Sequence, residues 1–160
     1  MEKSANGWPA SADAEAIDII RKPVPGTDLK LRVAKPVAPL LIAFAAEFHK
    51  QVEPIDKGTL DDWGYAYRKV RGSNTVVSNH SSGTAIDLNA IKHPLGAVNT
   101  FTAEQAATIR RLCRKYGLKW GGDYRTRKDE MHFEIALNPV QVETLIRGLE
   151  LENDEGEKTE

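Results

Sequence analysis

Cysteine is nearly absent from the sequence, since Cys113 is the only one among 160 residues. A single thiol cannot form an internal disulfide, and it cannot supply a cysteine-based zinc cage. Cys113 lies within a predicted helix, which indicates a small buried side chain and not a nucleophile. Stability must therefore come from a hydrophobic core, and a hydrophobic fraction of 41% is ordinary for one compact domain.

Long apolar runs and a large net charge are also missing. The longest apolar stretch, residues 37–46, contains Pro39 and is well short of the roughly 18 to 20 residues that cross a bilayer. The N-terminal residues do not show a charged-then-apolar signal pattern, so we expect synthesis in a cytoplasm without a signal peptide. The net charge is −1, and the acids concentrate in residues 150–160. The rest is only mildly basic, so we expect neither nucleic-acid binding nor membrane insertion.

Hydrophobic periodicity predicts a single α+β domain over residues 1–149, with a small, mostly antiparallel sheet and flanking helices. Strands are predicted at residues 29–33, 65–70, 84–89 and 131–135. Helices are predicted after Pro36 and Pro39, from a Thr102–Gln105 capping box to Gly117, and from Asn138 to Gly148. Residues 1–28 are rich in glycine and proline and predict an irregular surface arm. Residues 150–160 predict a disordered tail or the start of a linker.

The most informative segment is Ser78-x-His80-x-x-Gly83-x-Ala85-x-Asp87, and a second imidazole, His132, follows in another predicted strand. Two histidines and one aspartate provide three nitrogen or oxygen ligands, the number that a catalytic zinc site uses when its fourth position is kept for water. A structural interpretation is equally open at this point. In it Asp87 caps a loop or pairs with Arg68 or Arg71, and the histidines are ordinary polar residues.

These residues, with 45 positions between Asp87 and His132, resemble the zinc peptidases that include D-alanyl-D-alanine carboxypeptidases and phage L-alanyl-D-glutamate endopeptidases. The strings Trp-Gly-Tyr-Ala-Tyr-Arg at 63–68, Val-Arg-Gly-Ser at 70–73 and Trp-Gly-Gly-Asp-Tyr at 120–124 add to the resemblance. It is densest over residues 52–135, and it is strongest to the catalytic domains of endolysins from phages of actinobacteria. The fold so implied is that shared by Hedgehog domains and these peptidases.

The resemblance implies a role for each matching residue. Zn²⁺ would be held by His80, Asp87 and His132. Asp129 would be the catalytic carboxylate, and Arg68 would steady the substrate or the developing oxyanion. Ser78 and Arg71 would contact the substrate, although Ser78 could instead orient a ligand or close its loop. Arg68 could instead pair with Asp61 or Asp62, and Glu134 could accept from a ligand ring or line the cleft.

The position of the catalytic carboxylate is ambiguous. If residues 129–135 formed one strand, Glu130 and not Asp129 would share a face with His132. The resemblance favours Asp129, which requires a turn or bulge just before Met131. An aspartate here is typical of the endopeptidases, whereas the carboxypeptidases usually have glutamate.

The implied function is that of a zinc-dependent peptidoglycan peptidase, the monomeric catalytic domain of an endolysin acting on cell-wall stem peptides, with L-alanyl-D-glutamate as the expected bond. The alternatives are a D-alanyl-D-alanine carboxypeptidase and a zinc-retaining wall-binding domain without activity. Two more distant rivals are a nucleic-acid module, suggested by the basic residues of the 102–117 helix, and a serine hydrolase. The basic residues are expected to be that helix's solvated face, and a Gly-x-Ser-x-Gly motif is lacking.

Overall fold

The computed structural model describes residues 2–55, 58–70, 72–73, 75–151 and 157–158. Within these residues it contains three α-helices and two three-stranded antiparallel sheets, which confirms the predicted α+β class. The helices are α1 (Ala38–Gln51), α2 (Ala103–Tyr116) and α3 (Pro139–Gly148). The strands are β1 (Ile19–Pro23), β2 (Lys30–Ala34), β3 (Ala85–Asp87), β4 (Leu118–Trp120), β5 (His132–Ile135) and β6 (Glu157–Lys158). Arg71 lies outside the described residues.

The first sheet has the order β2-β1-β6, and the second has the order β3-β5-β4. In the second sheet Asp87 of β3 stands directly opposite His132 of β5, and Ile86 stands opposite Phe133. Side chains alternate along a strand, so Asp87 and His132 share one face while Ile86 and Phe133 share the other. The apolar face packs on α1, where the Phe44 ring centroid lies 4.7 Å from that of Phe133. The sheet therefore has a core face and a polar face.

The N-terminal residues are not a surface arm, so that prediction was wrong. Strand β1 pairs with β2 along its whole length, and the buried side chains of Trp8, Ile20 and Val24 belong to the main hydrophobic core. The short apolar pieces between the prolines and glycines each contribute to the core. None is long enough to show a period by itself. In the predicted disordered tail, residues 157–158 form β6 and pair with β1. For the rest of the tail, disorder stays a prediction.

The predicted strand at residues 65–70 was also wrong. The chain is extended there, but it forms only isolated bridges, at Trp63 with Asp87 and at Lys69 with Val77. Its backbone also forms hydrogen bonds with the loop around His80; Ala66 N, for example, donates to the His80 carbonyl. Because that loop turns, it cannot continue a ladder of β-sheet hydrogen bonds. The predicted strand at 84–89 ends at Asp87, because Asn89 adopts a left-handed φ of 50°.

Helix α2 confirms the predicted capping box of Thr102 and Gln105 and ends at Gly117. It buries Ile109, Leu112, Cys113 and Tyr116. Its arginines and lysines are exposed, as expected of a solvated face. Burial raises the pKa of Cys113 to about 12, which agrees with a structural role for this thiol. In the described part of the chain, each helix is too short or too polar to span a bilayer.

Candidate metal centre

The loop that carries His80 is a short 3-10 helix, Asn79–Ser82, capped at both ends. At its start the Ser78 hydroxyl accepts a hydrogen bond from the backbone N–H of His80. At its end Gly83 has a φ of 70°, and a Cβ there would lie 2.7 Å from the backbone nitrogen of Ala34. Only glycine combines this left-handed conformation with such close packing on β2. The loop that carries His80 is thus held against strand β2 of the first sheet.

Three donor atoms from distant parts of the chain converge at the polar face of the second sheet. His80 Nε2 and His132 Nδ1 each lie 3.1 Å from Asp87 Oδ1, and the two nitrogens are 3.2 Å apart. All three side chains are buried. Bonds of about 2.0 to 2.1 Å in a tetrahedral zinc site place neighbouring ligand atoms roughly 3.3 Å apart. The triangle therefore has the dimensions of three corners of such a site.

The other nitrogen of each imidazole has a partner that selects its protonation. His80 Nδ1 lies 2.8 Å from the Gly64 carbonyl oxygen, which can only accept, so Nδ1 must donate. His132 Nε2 lies 2.9 Å from Glu134 Oε1, a carboxylate oxygen that likewise accepts. In the neutral rings, lone pairs at His80 Nε2 and His132 Nδ1 then face Asp87 Oδ1. Three electron-rich atoms this close repel one another unless a proton or a metal ion lies between them, and the donor set fits a metal ion.

The second oxygen of Asp87 is turned away from the triangle. Trp63 Nε1 donates to Asp87 Oδ2 at 2.8 Å, and an Arg68 guanidinium nitrogen lies 3.7 Å from the same oxygen. These contacts leave Oδ1 alone to face the two imidazoles. Among the described residues, Arg68 forms its ion pair with Asp87. This is the pairing that the structural interpretation of the sequence had allowed. The Arg68 side chain remains 40% exposed, so part of its guanidinium is available to a ligand.

The charges of the triangle are strongly coupled. Burial alone would raise the pKa of Asp87, but the neighbouring imidazoles hold it well below its ordinary value. Burial disfavours the charged form of His132, yet hydrogen bonds to Asp87 and Glu134 raise the pKa of His132 to about 10. Without a metal ion, a proton on His132 therefore supplies the positive charge that the acceptors require. A metal ion must displace that proton in order to bind.

Asp129 and Glu130 have different surroundings in the turn that precedes β5. The backbone N–H of His132 donates to the Asp129 carbonyl, which closes a turn at the place where the resemblance required one. Asp129 lines the cleft, and its buried Oδ1 has no hydrogen-bond partner among the described residues. Glu130 points the other way and accepts from the backbone N–H groups of Asn99 and Thr100, both at 2.9 Å. The free carboxylate is thus that of Asp129.

Burial raises the pKa of Asp129 above its ordinary value, and the charge of Asp87 adds to this effect. The imidazoles and Arg68 oppose it. A carboxylate in such surroundings is a better proton acceptor than one in water. The environment of Asp129 therefore suits a group that takes a proton and gives it back.

A cleft of about 590 Å³ opens over the triangle. Its lining includes Trp63, Arg68, Ser78, Asp129, His132 and Glu134. The structure thus brings Arg68 and Ser78 to the same opening as the proposed ligands. Ser78 is buried, and its hydroxyl is already engaged as the cap of the His80 loop.

Sequence reasoning missed three contacts at this site: the Trp63 indole on Asp87, the Gly64 carbonyl on His80 and the Tyr124 hydroxyl on Glu134. Trp63 and Tyr124 belong to strings that carried the resemblance, so the sequence marked both positions. The resemblance did not indicate which residues they contact. A backbone carbonyl such as that of Gly64 leaves no signal in the side-chain pattern.

Residues 71–135 match the family model described as D-alanyl-D-alanine carboxypeptidase. The match supports the metallopeptidase family. The matched segment includes the three convergent side chains and Asp129, although it is less than half of the chain. No curated protein and no solved structure matches the sequence.

Proposed function

We propose that this chain is a zinc-dependent peptidase that cleaves the stem peptide of peptidoglycan, with L-alanyl-D-glutamate as its bond, and that it serves as the catalytic domain of a phage endolysin. The observation that supports this most is the convergence of His80 Nε2, Asp87 Oδ1 and His132 Nδ1 beside a cleft lined by His132 and by Asp129, whose Oδ1 has no hydrogen-bond partner among the described residues. The peptidase family implies a peptidoglycan peptide as substrate.

His80, Asp87 and His132 would hold the metal ion, since their donor atoms already lie at the separations of tetrahedral ligands. When bound, zinc supplies Lewis acidity that polarises the scissile carbonyl and lowers the pKa of the attacking water toward about 7. The protein would keep Asp87 a one-oxygen ligand, because Trp63 and Arg68 occupy its other oxygen.

Asp129 would act as the general base and then the general acid. Its Oδ1 would accept a proton from the attacking water and return it to the leaving amine nitrogen. Such a proton transfer typically contributes about 10² to 10⁴ in rate. Arg68 would orient a substrate carboxylate or the developing oxyanion through the donors that Asp87 does not use.

A D-alanyl-D-alanine carboxypeptidase is the second candidate, and the description of the matching family model favours it. Both reactions would use the same residues, so the difference lies in which bond the cleft accepts. A wall-binding domain without activity is a weaker alternative, because it would have no use for a free carboxylate such as that of Asp129.

The reaction is tested with purified cell walls and defined muropeptides. Release of new amino groups, with fragments identified by mass spectrometry as free alanine ends and glutamate-initiated peptides, is the expected result. Loss of one terminal D-alanine would replace the endopeptidase proposal with the carboxypeptidase. Wall binding without any released amino group would leave only the binding domain.

The metal requirement is tested separately. Chelator should abolish the cleavage and added zinc should restore it. Alanine in place of His80, Asp87 or His132 should remove stoichiometric zinc, whereas His49→Ala, on α1 and outside the cluster, should keep it. A ligand variant that retained stoichiometric zinc would remove that residue from the proposed set.

A further inference from the structure

The carboxylate of Glu134 lies beside the proposed metal centre without belonging to the triangle. Glu134 follows His132 by two residues in β5, so both side chains project from the same face of the sheet. Its Oε1 accepts from His132 Nε2 at 2.9 Å and also from the hydroxyl of Tyr124. The side chain is only 13% exposed, so these contacts are largely shielded from water.

A third segment, the His80 loop, reaches the same cleft. Asn79 lines that cleft together with Glu134 and Tyr124, and its Oδ1 accepts from the backbone N–H of Asn6 at 2.8 Å. This contact leaves the amide nitrogen of Asn79, a donor, available to the cleft.

This arrangement acts on the imidazole of His132. A histidine can offer either nitrogen to a metal, and the partner of the other nitrogen decides which one. With Nε2–H bound to a fixed carboxylate, only Nδ1 faces His80 and Asp87. We infer that Glu134 is a positioning residue that makes His132 an Nδ1 ligand, and that Tyr124 holds Glu134 in place. This inference rests on the proposed zinc site.

The same contacts distinguish the carboxylate of Glu134 from that of Asp129, the proposed base. Glu134 Oε1 accepts from two donors, His132 Nε2 and the Tyr124 hydroxyl. The Oδ1 of Asp129 has no partner among the described residues. A carboxylate engaged in this way is suited to fixing a ring and poorly suited to taking a proton from water.

The test measures zinc affinity by competition with a chromophoric chelator, which does not depend on peptidase activity. Glu134→Ala should weaken zinc binding roughly 10- to 100-fold. Glu134→Gln should recover most of the affinity, because its amide oxygen can still accept from Nε2–H. Tyr124→Phe should fall between the wild type and Glu134→Ala. The control is Glu143→Ala, which removes a carboxylate that is 72% exposed on α3 and should leave the affinity unchanged.

Long-range ¹H–¹⁵N NMR spectra of the zinc-loaded protein give the second readout. They should show the wild-type His132 ligated through Nδ1 with its proton on Nε2, and Glu134→Ala should lose this single state. Wild-type affinity in Glu134→Ala, or a Gln variant as weak as Ala, overturns the inference and leaves the peptidase proposal standing. If Glu134→Ala does not fold, the Gln and Tyr124→Phe variants decide. A wild-type chain that binds no zinc overturns both proposals.

Discussion

Three carboxylates follow one another closely at the entrance to β5, and their hydrogen-bond partners differ. Asp129 has an unpartnered oxygen in the cleft, Glu130 accepts from the backbone of residues 99 and 100, and Glu134 accepts from His132. All three are acids of similar intrinsic strength, so the partners decide what each one can do. Substitution at each should therefore have a different signature.

Asp129→Asn should keep stoichiometric zinc and lose turnover by roughly 10² to 10⁴, because the amide cannot take a proton from water. Turnover is measured as amino groups released from cell walls, and zinc by elemental analysis of the same sample.

Glu130→Gln is the matched comparison. It leaves at least one buried donor unsatisfied, which should lower the free energy of unfolding by about 1 to 3 kcal/mol. Turnover per folded molecule should be preserved. An inactive but folded Glu130→Gln together with an active Asp129→Asn would reverse the assignment of the base.

The proton on His132 predicts a pH dependence of zinc binding. Burial opposes the charged ring, but hydrogen bonds that the ring donates to Asp87 and Glu134 raise the pKa of His132 to about 10, so in the metal-free chain this ring is protonated at neutral pH. Zinc must displace one proton, and the apparent affinity should rise by up to about tenfold per pH unit below that value. Calorimetry in buffers of different ionisation enthalpy should show the released proton. A zinc affinity that stayed constant from pH 6 to 8 would contradict this prediction.

At the scale of elements, the site depends on the β3–β5 pairing and on the turn before β5. The register that sets Asp87 opposite His132 brings together two side chains 45 positions apart. The turn at Asp129 packs on the 3-10 helix Gly121–Asp123, where Asp129 N donates to the Gly121 carbonyl. A Cβ on Gly121 would lie 2.2 Å from the Asp129 carbonyl oxygen. Only glycine at position 121 allows this close approach to Asp129, the proposed base.

Gly121→Ala should move this turn and misplace Asp129, lowering turnover by about tenfold or more, since small displacements of reacting groups are costly. Zinc should remain bound, because the atoms that a Cβ on Gly121 would meet first all belong to Asp129 and not to a proposed ligand. Gly148→Ala is the control, as a Cβ there meets nothing within 4 Å. Equal turnover in the two variants would show that Gly121 does not position the base.

At the scale of the whole molecule, the site needs more of the chain than the segment that matches the family model. Residues 2–11 lie against the His80 loop and the residue that leads into it. Ala5 N donates to the Val77 carbonyl, and Ser11 N donates to the Ser81 carbonyl. The Asn6 side chain donates to the Ile135 carbonyl at the end of β5. The N-terminal segment therefore joins the loop of one proposed ligand to the strand of another.

A second acidic cluster couples the stability of the molecule to pH. Burial raises the pKa of Asp62 to about 7, and the nearby charges of Asp61 and Glu53 add to this effect, while the backbone N–H of Asn89 opposes it. Between about pH 4 and 7 the folded chain binds more protons here than the unfolded chain. The free energy of unfolding should therefore fall as pH rises through this window.

Asp62→Asn should be more stable than the wild type at pH 8 by about 1 kcal/mol, since the half-buried charge is partly screened by water. The difference should vanish near pH 3.5, where both side chains are neutral. Urea denaturation at the two pH values measures it, with the exposed Asp28→Asn as control. A stabilisation that was the same at both pH values would contradict this origin.

Much of the fold and some of the candidate site followed from local signals. The caps at Thr102 and Asn138 act within one turn of the chain, so both helices were predictable at their first residues. The alternation of β5 likewise depends only on neighbouring residues. By contrast, the strand predicted at residues 65–70 and the surface arm at 1–28 were wrong. Residues 65–70 bond to the turning loop around His80, and the apolar pieces of the arm are too short to show a period.

The sequence by itself determined which side chains could ligate a metal ion, since His80 and Asp87 stand on a short loop and the strand after it, and His132 stands in a strand of its own. Only the tertiary structure decided that their donor atoms meet, that Asp129 and not Glu130 faces the cleft, and that Trp63 and Glu134 orient two of them. The physical reason is that these relations depend on strand register, which is set where the sheet packs on α1, and on a turn closed between residues 129 and 132, which packs on the 3-10 helix Gly121–Asp123.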